Sequence, residues 1–320
     1  MYKNKKIGVV IPCYNEERQI GKVLETLPDF VDVAVVVDDC SRDGTLAVVE
    51  KLATKLKLKI EVIRHEKNRG VGAAISSGYI WCRDNGIDIA AVMAGDAQMD
   101  PADLPAILDP VADGTADYAK GNRLITGEAF EKIPFVRYFG NSVLTLMTKI
   151  ASGYWHVTDS QSGYTAINRR ALEMLPLEDI YPRYGMPNDF LVTLNIYDMK
   201  VTDVPVNPLY GVGEKSSMIV HLAIPSLLTL MIRLFFRRMI RKYVIRDFHP
   251  LIFFYLTGFL LTLIALPLTV RILYLWLYLG KSITAVNALG TGFIIIMALQ
   301  FLLFAMWFDM DYNRNLNPDR

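Results

Sequence analysis

The chain has 320 residues, of which 52% are hydrophobic and 21% charged, and its formal net charge at pH 7 is +1. This balance gives no global preference for nucleic acid. The three cysteines, Cys13, Cys40 and Cys82, are odd in number and far apart. Their spacing fits neither a zinc motif nor a disulfide framework, and it indicates a reducing compartment.

Strands and helices alternate in the structure predicted for residues 1–215. β-branched runs such as IGVVIP (7–12), DVAVVVDD (32–39) and IDIAAVMAGD (87–96) predict strands, and the amphipathic stretches between them predict helices. This alternation predicts an α/β domain with a mostly parallel sheet covered on both faces. Because ligands bind at the carboxyl ends of such strands, the polar residues after each run should gather into one site.

Acidic residues follow the first two predicted strands. Glu16 comes after the first strand, where it can accept hydrogen bonds from a ribose or a base. Asp38 and Asp39 end the second strand and suit a ribose or a base N–H donor. An alternative is that Ser41 and Asp43 cap the next helix, and both interpretations can hold together.

A glycine-rich stretch, NRGVGAAISSG (68–78), looks like a dinucleotide-binding fingerprint. That fingerprint requires a third glycine where Ile75 stands, and it belongs after the first strand rather than the third. A nicotinamide cofactor is therefore not predicted. A helix start at Gly70 that brings the backbone close to a nucleotide is still compatible with the sequence.

The run AAVMAGDAQMDP (90–101) ends an apolar strand with Asp96, Gln98 and Asp100. Two interpretations compete: an acidic turn, or a site for a divalent cation and an anionic ligand. Oxygen ligands such as carboxylates are those that hard cations prefer. Asp100 stands directly before Pro101, so it fits the cap of the next helix better than a metal site.

The last third of the sequence changes character. Residues 251–270 and 282–308 carry no charge, and each run is long enough to cross a bilayer. The alternative is a pair of buried core helices. The segment before them mixes bulky apolar residues with basic ones, as helices in the membrane interface do. The basic residues expected to meet anionic headgroups are Arg233, Arg237, Arg238, Arg241, Lys242 and Arg246.

These features divide the chain into a globular domain (1–215), interfacial helices (216–248), two transmembrane helices (249–310) and a short tail (311–320). The positive-inside rule places the basic segment, and the globular domain attached to it, in the cytoplasm. With two spans, both termini of this cell-membrane protein should also be cytoplasmic. A solvated basic face is the alternative for the interfacial segment.

Several motifs together resemble the family 2 glycosyltransferases of GT-A fold. They are VVIPCYNEE (9–17), VVVDDCSRDGT (35–45), NRGVGAA (68–74) and GDAQMDP (95–101). KGNRLITG (120–127), DSQSGYTAINRRAL (159–172) and the terminal hairpin narrow the resemblance to polyprenyl-phosphate glycosyltransferases, the group of dolichyl-phosphate mannose synthase and GtrB-like enzymes. The resemblance implies inverting transfer of a hexose from a UDP- or GDP-sugar to undecaprenyl or dolichyl phosphate.

The resemblance also implies a metal-dependent donor site. The family motif Asp-x-Asp-x-Gln is present as Ala94, Asp96 and Gln98, so Asp96 and Gln98 would hold Mg²⁺ or Mn²⁺ and act in catalysis. One carboxylate is missing, but a divalent cation also takes oxygens from the diphosphate. The residues implied in nucleotide-sugar binding are Pro12, Tyr14, Glu16, Asp38, Asp39, Asn68, Gly70, Asp96, Ala97 and Lys215.

An acceptor site is implied by the same resemblance. Arg123, Arg137 and Ser216 would bind the lipid phosphate, because guanidinium groups suit phosphate. A surface arginine is the alternative for Arg137. Asp189 would be a catalytic carboxylate near the acceptor or, equally, a helix cap. Lys215, with the metal, would stabilise the leaving diphosphate.

The implied partners are a nucleotide sugar, a polyprenyl phosphate and the membrane, without nucleic acid, and a homo-oligomer is compatible with them. One rival is a GT-A enzyme with a non-lipid acceptor, against which the basic interfacial segment argues. The other is a non-catalytic, membrane-anchored sugar-nucleotide sensor, which only Ala94 supports.

Overall fold

The structure, a computed structural model, describes residues 1–124, 135–207 and 220–318, apart from the side chains of 135–141 and 220–224. Within these ranges the strands form a single sheet in the order β3-β2-β1-β4-β6-β5-β7. The strands are β1 Ile7–Cys13, β2 Val33–Asp38, β3 Lys59–Arg64, β4 Ile89–Val92, β5 Tyr118–Asn122, β6 Thr165–Asn168 and β7 Val201–Pro205.

Every neighbouring pair in the sheet is parallel except the pairs that β6 makes with β4 and β5. The predicted mostly parallel sheet is confirmed, and β6 is its inverted strand. β1, β2 and β4 are buried along their whole length. Val10 and Val35 pack into one apolar layer, and Ile11 and Val36 pack into the layer on the other face. Coverage of both faces explains why these strands are continuous apolar runs.

The first of two compact units comprises Met1–Phe235 and Asn315–Arg320. α3 lies very close to β1, because a Cβ at Gly78 would meet Val10 at 2.2 Å. The helices of this unit are α1 Ile20–Glu25, α2 Thr45–Lys55, α3 Val71–Asp84, α4 Leu104–Ala112, α5 Phe135–Ser152, α6 Arg169–Met174, α7 Met186–Ile196 and most of α8 Val220–Ile240.

The second unit, Phe236–Arg314, is a helical hairpin built from α9 Leu251–Leu273 and α10 Ala285–Tyr312. The two helices pack closely, since a Cβ at Gly258 would meet the Leu302 side chain at 2.7 Å. The continuous helix that contains α9 and the helix α10 are both long and apolar enough to cross a membrane, with mean hydropathies of 2.3 and 2.2. Only 22% and 17% of their most apolar windows are buried. Such exposure does not fit the alternative of soluble core helices.

The prediction that six basic residues before the hairpin face the surface is wrong for two of them. Arg238 and Lys242 are only 0% and 2% exposed. Arg238 donates hydrogen bonds to both carboxylate oxygens of Asp309 at 2.7 and 2.8 Å, and Lys242 donates to Asn313 at 2.8 Å. Within the hairpin unit, Arg238 is therefore paired with a carboxylate, and Lys242 is held by a neutral amide. Exposed basic residues in the segment are Arg233, Arg241 and Arg246.

Candidate active site

The tips of β1, β2 and β4 meet at one edge of the sheet. The N–H of Asp39 donates to the carbonyl of Cys13 at 2.9 Å, and the N–H of Gly95 donates to that of Pro12 at 3.2 Å. A Cβ at Gly95 would lie 3.0 Å from the Cβ of Cys13 and 3.5 Å from Cγ of Glu16. Glycine at this position therefore lets the β4 tip approach the β1 tip. The structure thus brings together predicted donor-site residues from three separate motifs.

The loops after β1 and β2 are fastened to each other. The N–H of Asn15 donates to Ser41 Oγ at 2.9 Å, and the N–H of Glu16 donates to Thr45 Oγ1 at 2.8 Å. Asn15 and Cys40 adopt the left-handed backbone region, with φ of 59° and 67°. Such strain persists only where the surroundings hold it, and it is common at functional sites.

Asp38 and Asp39 are buried, and their carboxylates bind the protein itself. Both oxygens of Asp38 accept from the N–H of Ser41 at 3.2 Å. Asp39 accepts from the N–H groups of Arg69 and Gly70 at 2.8 and 2.7 Å. Asp39 therefore shapes the loop of residues 65–70, which contains the predicted ligands Asn68 and Gly70.

The alternative that Ser41 and Asp43 cap the helix after β2 is only partly confirmed. The N-cap residue of α2 is Gly44, which has no side chain to cap the helix. Ser41 accepts instead from the loop after β1, whereas Asp43 accepts from the N–H and hydroxyl of Thr45 at 3.1 and 2.5 Å. The Ser/Asp turn therefore joins two loops.

The β4 tip places the predicted metal ligands two residues apart on a tight turn. Asp96 Oδ1 accepts from the N–H of Gln98 at 3.1 Å, and Ala97 between them has a left-handed φ of 59°. Asp100 is the N-cap of the next helical turn, because its Oδ1 accepts from the N–H of Ala102 at 2.9 Å. The predicted capping role of Asp100 is confirmed.

Asp96 suits a cation on electrostatic grounds. Burial raises the pKa of its carboxyl group, backbone hydrogen bonds partly oppose the shift, and no basic side chain within the described ranges contributes to it. Among the described residues, no group of three His, Cys, Asp or Glu side chains could hold a metal ion. Asp96 and the amide oxygen of Gln98 are thus an incomplete ligand set. Such a set fits a divalent cation that takes further oxygens from phosphates.

Arg123, which follows β5, forms a bidentate pair with Asp159. Its Nε and Nη2 lie 2.7 and 3.0 Å from the two carboxylate oxygens. Burial alone would raise the pKa of Asp159, but the hydrogen bonds and charge of Arg123 lower it below its usual value. The Arg123 side chain is 40% exposed and that of Asp159 only 5%. The carboxylate therefore fixes a guanidinium group that solvent still reaches.

Lys120 on β5 is a buried cation that the sequence analysis missed. It is 1% exposed, and its Nζ donates to the carbonyl of Ser162. Burial lowers its pKa to about 8, although Asp159 and Asp203 partly offset the effect. The contact ties the loop containing Asp159 to β5. The only sequence signal is a lysine within a short run of apolar and small residues.

Asp189 lies in the first turn of α7 and is 1% exposed. Its carboxylate accepts from the N–H of Tyr181 at 2.6 Å, whereas the N-cap of α7 is Gly185. The interpretation of Asp189 as a helix cap is therefore wrong. Its carboxylate holds the segment that precedes the helix, and its role near the acceptor stays a prediction.

Other predicted site residues fall partly or wholly outside the described residues. Lys215 and Ser216 lie outside them, and Arg137 lies near the start of α5 in the stretch whose side chains are not described. The roles given to these residues stay predictions.

Comparison with known proteins gives consistent results. The profile of Glycosyl transferase family 2 matches residues 8–175. The chain is 31% identical over 219 residues to UDP-N-acetylglucosamine--dolichyl-phosphate N-acetylglucosaminyltransferase of Methanococcus voltae, covering 65% of this chain and 87% of the relative. It is 28% identical over 204 residues to undecaprenyl-phosphate mannosyltransferase of Micrococcus luteus, covering 63% and 82%.

The fold also has counterparts among solved structures. Glucosyl-3-phosphoglycerate synthase from Mycobacterium tuberculosis, in complex with Mn²⁺, UDP-glucose and phosphoglyceric acid, superimposes with a TM-score of 0.51 at 19% sequence identity. The match covers 73% of this chain and 80% of the synthase. At this identity the likeness concerns the fold.

Proposed function

Because the chain belongs to glycosyltransferase family 2, we propose that it transfers a hexose from a UDP- or GDP-sugar to a polyprenyl phosphate at the cytoplasmic face of the membrane. One observation carries the proposal: the family 2 domain continues into a basic segment and an apolar hairpin. An acceptor that resides in the bilayer requires an enzyme held at its surface. Relatives named for dolichyl and undecaprenyl phosphate support the same acceptor class.

The donor is proposed to bind at the joined tips of β1, β2 and β4. Tyr14, 42% exposed, and Glu16 would line one side, and Asp96 and Gln98 the other. Mg²⁺ or Mn²⁺ held by Asp96 and Gln98 would supply positive charge to the leaving diphosphate. Asp96 must be ionised to bind the cation. Protons therefore compete with the cation for Asp96, and cation binding should weaken as the pH is lowered through the raised pKa of the metal-free carboxyl group.

The proposed reaction is a single displacement. A phosphate oxygen of the lipid forms a bond to the anomeric carbon while the bond from that carbon to the diphosphate oxygen breaks, so the configuration inverts. A phosphate monoester has its second pKa at about 6 and is ionised near neutral pH. The acceptor therefore needs no strong general base, and Asp189 could act near it without taking a proton.

The acceptor phosphate is proposed to bind Arg123 and Arg137. Asp159 would hold the Arg123 guanidinium in place while part of that group faces the phosphate. Charge-assisted, bidentate contacts of this kind are stronger than neutral hydrogen bonds. Lys215 and Ser216 would complete the contacts with the diphosphate and the acceptor phosphate.

We propose that an apolar stripe on the segment before the hairpin inserts into the membrane interface. Phe236, Ile240, Val244 and Phe248 recur every four residues and are 41% to 61% exposed. Exposed basic residues such as Arg241 lie between them. An apolar stripe beside arginines suits the boundary between headgroups and acyl chains. Each such cation contributes about 1 kcal/mol near an anionic surface.

We infer the topology from where the chain goes after the hairpin. Leu316 packs in the core of the first unit, and the Met1 ammonium donates to the carbonyl of Phe30 in the same unit at 2.8 Å. A hairpin whose two ends both continue into one domain crosses the bilayer an even number of times. We place that domain and both termini in the cytoplasm because the basic residues flank the first span.

A thermal-shift panel tests the donor part of the proposal. Full-length protein in detergent is heated with UDP-sugars and GDP-sugars, with and without Mn²⁺. A ligand that binds only the folded state at about 100 times its Kd stabilises it by about 2.7 kcal/mol. We expect a shift that requires Mn²⁺ and is lost in Asp96→Ala but kept in the control Asp100→Ala. The absence of a shift with every nucleotide sugar would contradict the proposed donor.

A further inference from the structure

A buried histidine lies between the β2 tip and α3. Nδ1 of His65 is 2.7 Å from Asp39 Oδ1, and its Nε2 is 3.0 Å from Ser77 Oγ on α3. His65 is 6% exposed and Asp39 3%. The reaction described above gives this ring no role. It nevertheless touches a carboxylate at the edge of the proposed donor site.

The ring and two backbone amides share the Asp39 carboxylate. Oδ1 of Asp39 also accepts from the N–H of Arg69 at 2.8 Å, and Oδ2 accepts from that of Gly70 at 2.7 Å. Because both oxygens of Asp39 already accept from backbone N–H groups, Nδ1 of His65 is assigned as the donor of this hydrogen bond. Nε2 can then accept from the Ser77 hydroxyl. The hydrogen bonds from Ser77 to His65 and from His65 to Asp39 therefore hold the carboxylate in place. This carboxylate is the acceptor for two backbone amides of the loop 65–70.

The loop 65–70 also packs closely against a segment that is distant in the sequence. Gly70 has φ of 98°, and a Cβ there would lie 2.5 Å from the carbonyl of Pro182. The loop therefore packs against the segment that contains Pro182, and Gly70 adopts a backbone conformation that favours glycine. Asn68 and Arg69 are exposed on it. A displacement of the Asp39 carboxylate would move these two residues together.

We propose that His65 is a positioning residue for the nucleotide donor. It holds the Asp39 carboxylate in the orientation that places the loop 65–70, including Asn68, against the nucleotide. The inference rests on the proposed function because the nucleotide is the proposed donor. His65 touches no substrate, so its loss should weaken donor binding and leave the acceptor KM unchanged.

The first test uses two substitutions of His65, each of which keeps a nitrogen donor near one of the two ring nitrogens and loses the other. Asn at position 65 places an amide N–H near Nδ1, where it can donate to Asp39, whereas Gln places it near Nε2, towards Ser77. The probes are UDP and GDP with Mn²⁺, measured by calorimetry on full-length protein. We expect His65→Gln and His65→Leu to raise the nucleotide Kd about tenfold, and His65→Asn to restore most of the affinity.

The matched control is another histidine whose ring bonds the backbone. His156 Nε2 lies 2.8 Å from the carbonyl of Val201 on β7. His156→Leu should leave the nucleotide Kd unchanged. An unchanged Kd in both His65→Gln and His65→Leu would overturn the proposal, and so would equal losses in His65→Asn and His65→Gln.

Hydrogen exchange gives a readout that does not depend on the donor. In His65→Gln the Arg69 and Gly70 amides should exchange about tenfold faster, because their acceptor, Asp39, is no longer held by the ring, while the amides of β1 keep their rates. Unchanged exchange at both amides would overturn the role of His65. If wild-type protein binds neither UDP nor GDP, the proposed donor is wrong, and faster exchange then still supports the hold of His65 on the loop.

Discussion

Replacing Arg238 by Met should destabilise the hairpin unit strongly. Arg238 and Asp309 are both 0% exposed, and their paired atoms lie 2.7 and 2.8 Å apart. The Tyr243 hydroxyl and the Asn313 amide donate to the same Asp309 oxygen at 2.5 and 3.0 Å. Removal of Arg238 leaves the buried Asp309 carboxylate with neutral hydrogen-bond donors, and Lys242, which donates to Asn313 rather than to Asp309, is then the nearby cation. Breaking a buried ion pair by removing one partner costs about 3–5 kcal/mol.

A double-mutant cycle measures this coupling. Arg238→Met, Asp309→Leu and the double variant are unfolded chemically in detergent, with Trp276 and Trp307 of the same unit as fluorescent reporters. The double variant should recover most of the loss, because an apolar pair of similar volume often replaces a buried ion pair without cost. Arg241→Gln, at an exposed arginine, should change the free energy of unfolding by less than about 0.5 kcal/mol. A loss below about 1 kcal/mol in Arg238→Met would refute the reasoning.

Three other predictions concern the proposed active site and the membrane. Asp96→Asn should raise the melting temperature of metal-free protein near neutral pH, because the raised pKa of Asp96 means that its ionisation costs stability as the pH rises; an unchanged or lower temperature by scanning fluorimetry would contradict this. Arg123→Ala should raise the KM for polyprenyl phosphate about tenfold, since a charge-assisted contact of about 1.5–3 kcal/mol is lost; equal loss of nucleotide binding would move Arg123 to the donor. Arg233→Gln combined with Arg241→Gln should slow transfer to long-chain lipid phosphate in anionic bilayers but not to a short, water-soluble isoprenyl phosphate. Equal slowing on both acceptors would exclude a docking role for these arginines.

The sequence was sufficient to predict the sheet where strands are buried on both faces. The apolar runs of β1, β2 and β4 show that burial directly, and the polar residues after them mark the edge where ligands would bind. The antiparallel direction of β6 could not be predicted from the sequence. This strand has four residues, and their pattern carries no information on strand direction.

Residues of the candidate site could be located in the sequence, but their partners could not. His65 is 26 residues from Asp39, and Asp159 is 36 residues from Arg123, so these contacts exist only in the fold. Arg238 looks like a surface cation because its carboxylate partner is 71 residues further along. Hydropathy treats such an arginine as exposed. Only the hairpin packing shows that its charge is compensated inside.

Sugar transfer by purified full-length protein in bilayers tests the central claim most directly. Labelled UDP-sugars and GDP-sugars are supplied with Mn²⁺ and with undecaprenyl or dolichyl phosphate, and the lipid product and its anomeric configuration are determined. We expect labelled lipid of inverted configuration from at least one donor, and none from the Asp96→Ala variant. Folded protein that forms no labelled lipid with any of these donors, or an Asp96→Ala variant that retains wild-type transfer, would contradict the proposed function.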